Sequence, residues 1–324
     1  MSQSSHTVGK SYIALLLVCI AGGYCSLEVL LHIWSSRYSQ GVRALTNEYR
    51  ETLKLRPRDS QSDLPTMLLA GNSLLQAGVD LDQFQKSLST IYRIQRLAVP
   101  ATTYEDWHYI LNDIFLRGAR PQYVVLLMSP MHLSLKYPIP DLAAVNVYRG
   151  SDLGRVASEQ LMSLNDRVML YITHYSPFWG ARESIRTWKQ KMLPGYAIAL
   201  RHQSEGMIQK YHDVQIDPRR LQDLASLCVR QNIHLILVIP PTDQPVDSKA
   251  VPQVLAAAAA TGVTALLPIE SSNLDHSYYS DGLHLNAKGA QLFTSALAEA
   301  LRESIQSSLV VVNRMPQPPE NHSR

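Results

Sequence analysis

Tyr123–Met128 reads YVVLLM and stops at Ser129-Pro130. Six apolar residues in a row are too few for a helix of usual length and too uniform for a strand with one wet face, so this run belongs inside a parallel sheet covered on both sides. Comparable runs lie on either side of it. Thr66–Ala70 (TMLLA) breaks at Gly71, and Ile91–Val99 ends at Pro100. His234–Ile239 (HLILVI) is stopped by Pro240-Pro241, and Val263–Leu267 follows an alanine-rich helical stretch at Val251–Ala260. A last helix starts near Asn286, a good N-cap with Gly289 tolerated in the first turn, and lines up Phe293, Leu297, Leu301 and Ile305 on one face. Strands alternating with helices predict an α/β fold built on a parallel sheet with helices on both faces.

The segment 131–217 is far longer than a loop and one crossover helix require. Val156–Leu193 has helical periodicity and carries Tyr171, Tyr175, Phe178 and Trp179. We read 131–217 as a helical insertion over the carboxyl edge of the sheet, where open α/β folds place their ligands. Residues 313–324, with MPQPPENHSR at Met315–Arg324, read as a disordered tail, and no internal repeat is visible.

At the other end, Ser11–Leu27 (SYIALLLVCIAGGYCSL) holds 17 residues without a charge, and EVLLHIW extends the apolar stretch to Trp34. A helix over 11–34 spans about 36 Å, enough for a hydrocarbon core of about 30 Å. The reading is an uncleaved transmembrane anchor. A cleaved signal peptide is the alternative, since Lys10 precedes the run and Ala21, Gly22 and Gly23 are small. Neither Cys19, after Val18, nor Cys25, after Tyr24, sits in a lipoprotein motif. Lys10 on one side and Arg37 and Arg43 on the other leave the positive-inside rule undecided. The short tail 1–10 is the part easier to retain inside, which puts the main domain, 64–312, on the periplasmic or extracellular side of the cytoplasmic membrane. Residues 35–63 read as a polar helical stalk.

Of 324 residues, 30 are Lys or Arg and 27 Asp or Glu, a net charge of +3 without a long basic run, so no nucleic-acid partner is expected. Only 18% are charged, against about 25% in typical soluble domains, in keeping with a membrane segment. Two of the three cysteines lie in the apolar stretch, which leaves Cys228 alone and excludes both a disulfide-stapled domain and a cysteine zinc site. No spacing matches a metal or P-loop motif, and no cofactor is expected.

Two places carry chemistry. LLAGNSLL puts Gly71, Asn72 and Ser73 directly after the first strand, and YYSDGLHLNAKGAQLF puts Asp281 and His284 just before the last helix. A serine at a strand-to-helix turn projects its hydroxyl from the sheet edge and its N–H into an anion-favouring helix start. An Asp three residues before a His can accept from the imidazole N–H, so that the other ring nitrogen takes the serine proton. Each piece alone has a plainer reading, a helix cap for Ser73 and a turn for Asp281-x-x-His284. Among the rest, Asp275-His276 reads as surface, Tyr104–His108 as a solvated helix start more readily than a cleft rim, and His132 and His174 as structural histidines.

The order of these pieces resembles the SGNH (GDSL-like) hydrolase family. GNS stands where that family has GDS, and DGLHLNAKG matches its terminal block over a resemblance covering about 64–303. The resemblance implies a flavodoxin-like α/β/α fold, with Ser73 as nucleophile, His284 as base and Asp281 as its orienter. It implies oxyanion donors after strands two and three, where this chain has V-P-A-T-T-Y and S-P-M-H in place of the family's Gly and Asn. Ala101 and Ser129 are the expected substitutes, and Asn72 either joins them or braces the loop. The anchor, the Ser-Pro pair and the insertion resemble extracytoplasmic acyltransferases of the alginate-acetylation and teichoic-acid D-alanylation type. These work beside a membrane-bound O-acyltransferase and pass the acyl group to a glycan. The expectation is therefore an anchored acyltransferase acting on an extracytoplasmic polysaccharide, with an anchored esterase or lipase and an inert scaffold as the other readings.

Overall fold

The computed structural model describes residues 4–38, 40–57, 64–134, 141–180, 182, 192–193 and 215–313. In chain order come α1 (Ser4–Tyr38), α2 (Gln40–Thr52), β1 (Thr66–Gly71), α3 (Ser73–Gly78), α4 (Leu81–Leu88), β2 (Arg93–Ala98), α5 (Tyr104–Leu116) and β3 (Tyr123–Leu127). Short helices follow: α6 (Pro130–Ser134), α7 (Asp141–Asn146), α8 (Leu153–Glu159), α9 (Leu164–Tyr175) and α10 (Pro177–Gly180). The chain then runs through α11 (Pro218–Val229), β4 (His234–Val238), α12 (Pro245–Thr261), β5 (Thr264–Leu266) and α13 (Ala287–Asn313). These elements divide into two compact units. Met1–Lys54, Val99–Arg117 and Lys136–Tyr211 make the first; Leu55–Ala98, Gly118–Leu135 and His212–Arg324 make the second.

The second unit holds the sheet. All five strands are parallel in the order β2-β1-β3-β4-β5, the doubly wound, flavodoxin-type order. Gly71 pairs with Ala98 and Leu127, and Leu127 with Val238, so the carboxyl ends of four strands finish level. On one face Met67, Leu69, Val125, Leu127, Ile236 and Val238 pack with Phe84 and Leu88 of α4 and Phe293, Leu297 and Leu301 of α13. The alternate residues Leu68, Ala70, Val124, Leu126 and Leu237 are just as fully buried, with α11 and α12 on their side. Burial of both faces is why β1, β3 and β4 read as unbroken apolar runs rather than alternating ones. β2 is an edge strand and keeps polar residues over its first half (RIQRLA). α12 begins at Pro245 and runs through Pro252, earlier than the alanine run implies. Pro252 is exposed, so water can reach the carbonyl that loses its amide partner.

In the first unit, α1 contains Tyr12–Ile33, 22 residues of mean hydropathy 2.1, long and apolar enough to cross a membrane. The helical part of the expected stalk, α2, is docked rather than free. Leu45, Tyr49 and Thr52 are buried, and the Tyr49 hydroxyl donates to Asp113 of α5. Asp113 is fully buried and also pairs with Arg149 and with Arg117 Nε at 2.9 Å, so α2, α5 and the insertion share one carboxylate. The Tyr104–His108 stretch does start a helix, but a buried one, which corrects the solvated reading. Thr103 and Asp106 form a capping box, Asp106 accepts from the Tyr148 hydroxyl, and Trp107 is fully enclosed. The helical periodicity after Val156 resolves into α8, α9 and α10, broken at Gln160–Ser163 and Ser176. Residues 183–191, 194–214 and the Met315–Arg324 tail lie outside the described residues.

Candidate active site

β1 delivers its last residues to the switch point between β1 and β3, where chain direction across the sheet reverses. Gly71 there has no room for a side chain: a Cβ would sit 2.9 Å from the Leu127 carbonyl oxygen and 2.9 Å from Leu75 Cβ. Asn72 follows as the N-cap of α3, fully buried, its Oδ1 accepting from Leu74 N at 3.0 Å. Ser73 is thereby the first residue of α3, and its hydroxyl stands at the carboxyl edge of the sheet. We predict that Gly71→Ala destabilises the fold by about 1–3 kcal/mol through overpacking. Thermal melts on the variant measure it.

The loop before α13 comes to meet this turn. Asp281 Oδ1 accepts from the backbone N–H of His284 at 2.8 Å and of Leu283 at 3.1 Å, which folds the loop into a tight turn. Asn286 caps α13 by accepting from Lys288 N at 3.0 Å and Gly289 N at 3.2 Å. Gly289 is more than tolerated: a Cβ would lie 2.5 Å from the Tyr278 carbonyl oxygen, so the helix start packs directly on the loop. The result is a chain of side chains, with Asp281 Oδ2 to His284 Nδ1 at 2.8 Å and His284 Nε2 to Ser73 Oγ at 2.9 Å.

Burial opposes the Asp281 charge, but hydrogen bonds from the His284 side chain and backbone and from Leu283 N outweigh it and hold the carboxyl at about 2. An ionised carboxylate only accepts, so His284 Nδ1 carries the hydrogen and Nε2 presents a lone pair to the Ser73 hydroxyl. Asp281 is depressed from 3.8 to about 2, so its contribution to stability is present above pH 3.8 and fades as pH falls toward 2. Asp281→Asn should flatten the pH dependence of the melting temperature across that window and leave it unchanged nearer neutrality. An identical acid slope in variant and parent would contradict this.

Beside this chain of side chains lies a second, buried one. Ser129, two residues past β3 as Ser73 is past β1, is fully buried, with Oγ 2.8 Å from His132 Nδ1. Asp247, in the first turn of α12, accepts from Met131 N at 2.7 Å and Thr242 Oγ1 at 2.9 Å. Burial raises the Asp247 carboxyl above its ordinary value, with those donors opposing. Burial first, then the charge of nearby His284, pushes His132 down to about 4, so its ring is neutral near neutral pH. This arrangement corrects the expected role of Ser129. Its hydroxyl is enclosed against His132 and not open to the cleft. Asp247 and Thr242 were missed, and the only signal was an acid just inside a helix that follows strand four.

The other expected residues are placed as follows. Asn72 braces the turn as a cap. Ala101 belongs to the first unit and has φ +60, a left-handed backbone that glycine would adopt without strain. His276 is exposed and bonds Asp243, while Asp275 caps a short 3₁₀ turn through Ser277 N at 2.7 Å. His174 Nδ1 lies 2.7 Å from the Ala144 carbonyl oxygen. Among the described residues, no three His, Cys, Asp or Glu side chains are grouped to hold a metal ion.

No protein-family model matches the chain, and no curated protein does. Solved structures do match at low identity. TesA is 14% identical, with 74% of this chain and 98% of that one covered and a TM-score of 0.38. The psychrotrophic esterase EstA from Pseudoalteromonas sp., inhibited by monoethylphosphonate, is 10% identical over 74% and 98% of the two chains, at 0.38. The C-terminal catalytic domain of Streptococcus pneumoniae peptidoglycan O-acetyltransferase A, carrying a methylsulfonyl adduct, is 13% identical over 75% and 96%, at 0.34.

Proposed function

We propose that the chain is a serine-dependent acyl-transfer enzyme of the SGNH kind, anchored in the membrane by α1. In this reading it moves an acyl group, acetyl in the simplest case, onto a hydroxyl of an extracytoplasmic polysaccharide. The observation that carries the enzymatic part is the 2.9 Å contact of Ser73 Oγ with a His284 whose tautomer is set by Asp281. The apolar helix Tyr12–Ile33 supports the anchored part. A membrane-bound O-acyltransferase is the proposed acyl donor.

In the first half-reaction, Ser73 Oγ attacks the acyl carbonyl carbon and its proton passes to His284 Nε2, while the Asp281 carboxylate stabilises the imidazolium. Collapse of the tetrahedral adduct breaks the bond to the leaving group, which takes the proton from Nε2. In the second half, the acceptor hydroxyl gives its proton to Nε2 and attacks the acyl-serine, and collapse of that adduct breaks the acyl–Oγ bond as Ser73 Oγ takes the proton back from Nε2. The developing oxyanion needs donors, each typically contributing about 10²–10³ in rate. The N–H of Ser73, in the first turn of α3, is one proposed donor. The family resemblance implies a second donor from the turn after strand two, where this chain has Ala101.

Incubation with a fluorophosphonate probe tests the nucleophile: Ser73 should be labelled, and an unlabelled Ser73 would leave the inert-scaffold reading. Partition of an acyl-Ser73 intermediate, formed from p-nitrophenyl acetate, between water and added oligosaccharide tests the acceptor. Acyl product on the sugar supports the transferase. Hydrolysis alone makes the same site an esterase.

A further inference from the structure

α9 reads LNDRVMLYITHY, and its large apolar residues Leu164, Val168, Tyr171 and Tyr175 recur at helical spacing on one face. They are 79%, 49%, 42% and 66% exposed, and Leu161 just ahead is 78% exposed, while the opposite face buries Leu170 and Thr173. An exposed apolar stripe of this length marks an interaction surface. What adjoins it identifies the occupant. Directly after Tyr175, Ser176 and α10 fasten to α1. Glu28 accepts from the Ser176 hydroxyl and from Phe178 N at 2.9 Å. The Tyr24 hydroxyl lies 3.2 Å from Ser176 Oγ, and the Tyr24 and Phe178 rings meet edge to face at 6.4 Å.

Tyr24 and Glu28 both lie inside the apolar window that ends at Ile33. Glu28 is five residues short of that end, about 7.5 Å of helix. An acidic side chain inside a membrane span requires partners, and here they come from the insertion. The corner Ser176–Gly180 therefore shares the depth of Glu28, and no intervening chain lifts Tyr175 away from it. Tyr171, Tyr175 and Trp179, the last with Arg182 4.9 Å over its ring, have the amphipathic character of residues at the headgroup level.

We infer that the exposed face of α9 lies on the lipid bilayer, in the headgroup–acyl boundary of the leaflet through which the carboxyl end of α1 emerges. Glu28 is the latch that holds it there. α1 is then a docked part of the first unit, and the insertion is a membrane-surface element. This rests on the proposal that α1 spans the membrane, and the test separates the two.

The full chain is placed in phosphatidylcholine nanodiscs with Cys19→Ser and Cys25→Ser. Cys228 is buried with its thiol pushed up to about 12, and so stays unlabelled. Nitroxides are then attached at Val168→Cys, Tyr171→Cys or Tyr175→Cys, and at Val29→Cys in α1 as reference. Greater relaxation by lipid-soluble oxygen than by a water-soluble nickel chelate is expected at all four sites. Access to nickel on α9 with Val29 in lipid would overturn the inference and leave the anchor standing. Nickel access at Val29 as well would remove the anchor and the inference together. Exclusion of both reagents on α9 would assign the face to a protein partner and overturn the lipid assignment. Glu28→Ala, shown folded by circular dichroism, should raise nickel access at Tyr175→Cys severalfold, and an unchanged value would remove Glu28 from the role of latch.

Discussion

Ser73→Ala should lower acyl-transfer turnover by about 10⁴–10⁶-fold and abolish fluorophosphonate labelling, with the melting temperature within a degree or two of the parent. The size of the loss follows from the chain of partners. Without Oγ, His284 Nε2 has no proton to take, and the Asp281–His284 pair remains oriented toward nothing. The small effect on stability follows from position. Ser73 opens a six-residue helix and is only half-buried, while the neighbouring Asn72 makes the cap that holds the turn. Turnover that survives in this variant would end the nucleophile assignment, and a large loss of stability would show that the hydroxyl holds the turn together.

The second large effect is on stability. Asp247→Ala should lower it by about 3 kcal/mol, because Met131 N and the Thr242 hydroxyl lose one shared acceptor in a buried place. For a chain of this size that is a fall of roughly 4–6 °C in melting temperature. The turn Ser129–His132, held through Met131 N, is then loosened beside a ring that feels the His284 charge. Turnover should fall as well, with Ser73 still labelled by the probe. Thr242→Val removes one donor together with its claim on Asp247 and should be milder, about 1 kcal/mol. Equal melting temperatures for Asp247→Ala and the parent would show that Asp247 is not the hub.

Much of the fold was legible because the signals are local. YVVLLM and HLILVI announce strands buried on both faces, and both are central strands of the sheet. Phe293, Leu297 and Leu301 repeat every four residues and form the buried face of α13. Asp281 and His284 are three residues apart, so a single turn brings them together whatever the rest of the chain does. Ser73 was identifiable as the residue after Gly71-Asn72 at a strand end, although its distance from His284 was not.

Pairings across long separations were not legible. Met131 and Asp247 are 116 residues apart, and Tyr49 and Asp113 are 64 apart. Nothing in S-P-M-H says that Met131 N meets a carboxylate on the first turn of a later helix or that the serine is enclosed against His132, so Ser129 read as a free donor when it is an enclosed one. Residues 35–63 read as a polar helical stalk because Arg, Glu, Gln and Ser recur throughout them; the three residues that dock α2, Leu45, Tyr49 and Thr52, are a minority on it. The sequence by itself determined which segments are strands and helices, where the chain is apolar enough for a membrane, and that a serine and an Asp/His turn stand at strand and helix ends. Each of these depends on neighbours within a few residues. The tertiary structure alone decided the order β2-β1-β3-β4-β5, the meeting of Ser73 with His284 and the burial of Ser129. These depend on which polar groups find partners once the sheet has closed, and a buried donor is held by the acceptor that packing brings to it, however distant in the chain.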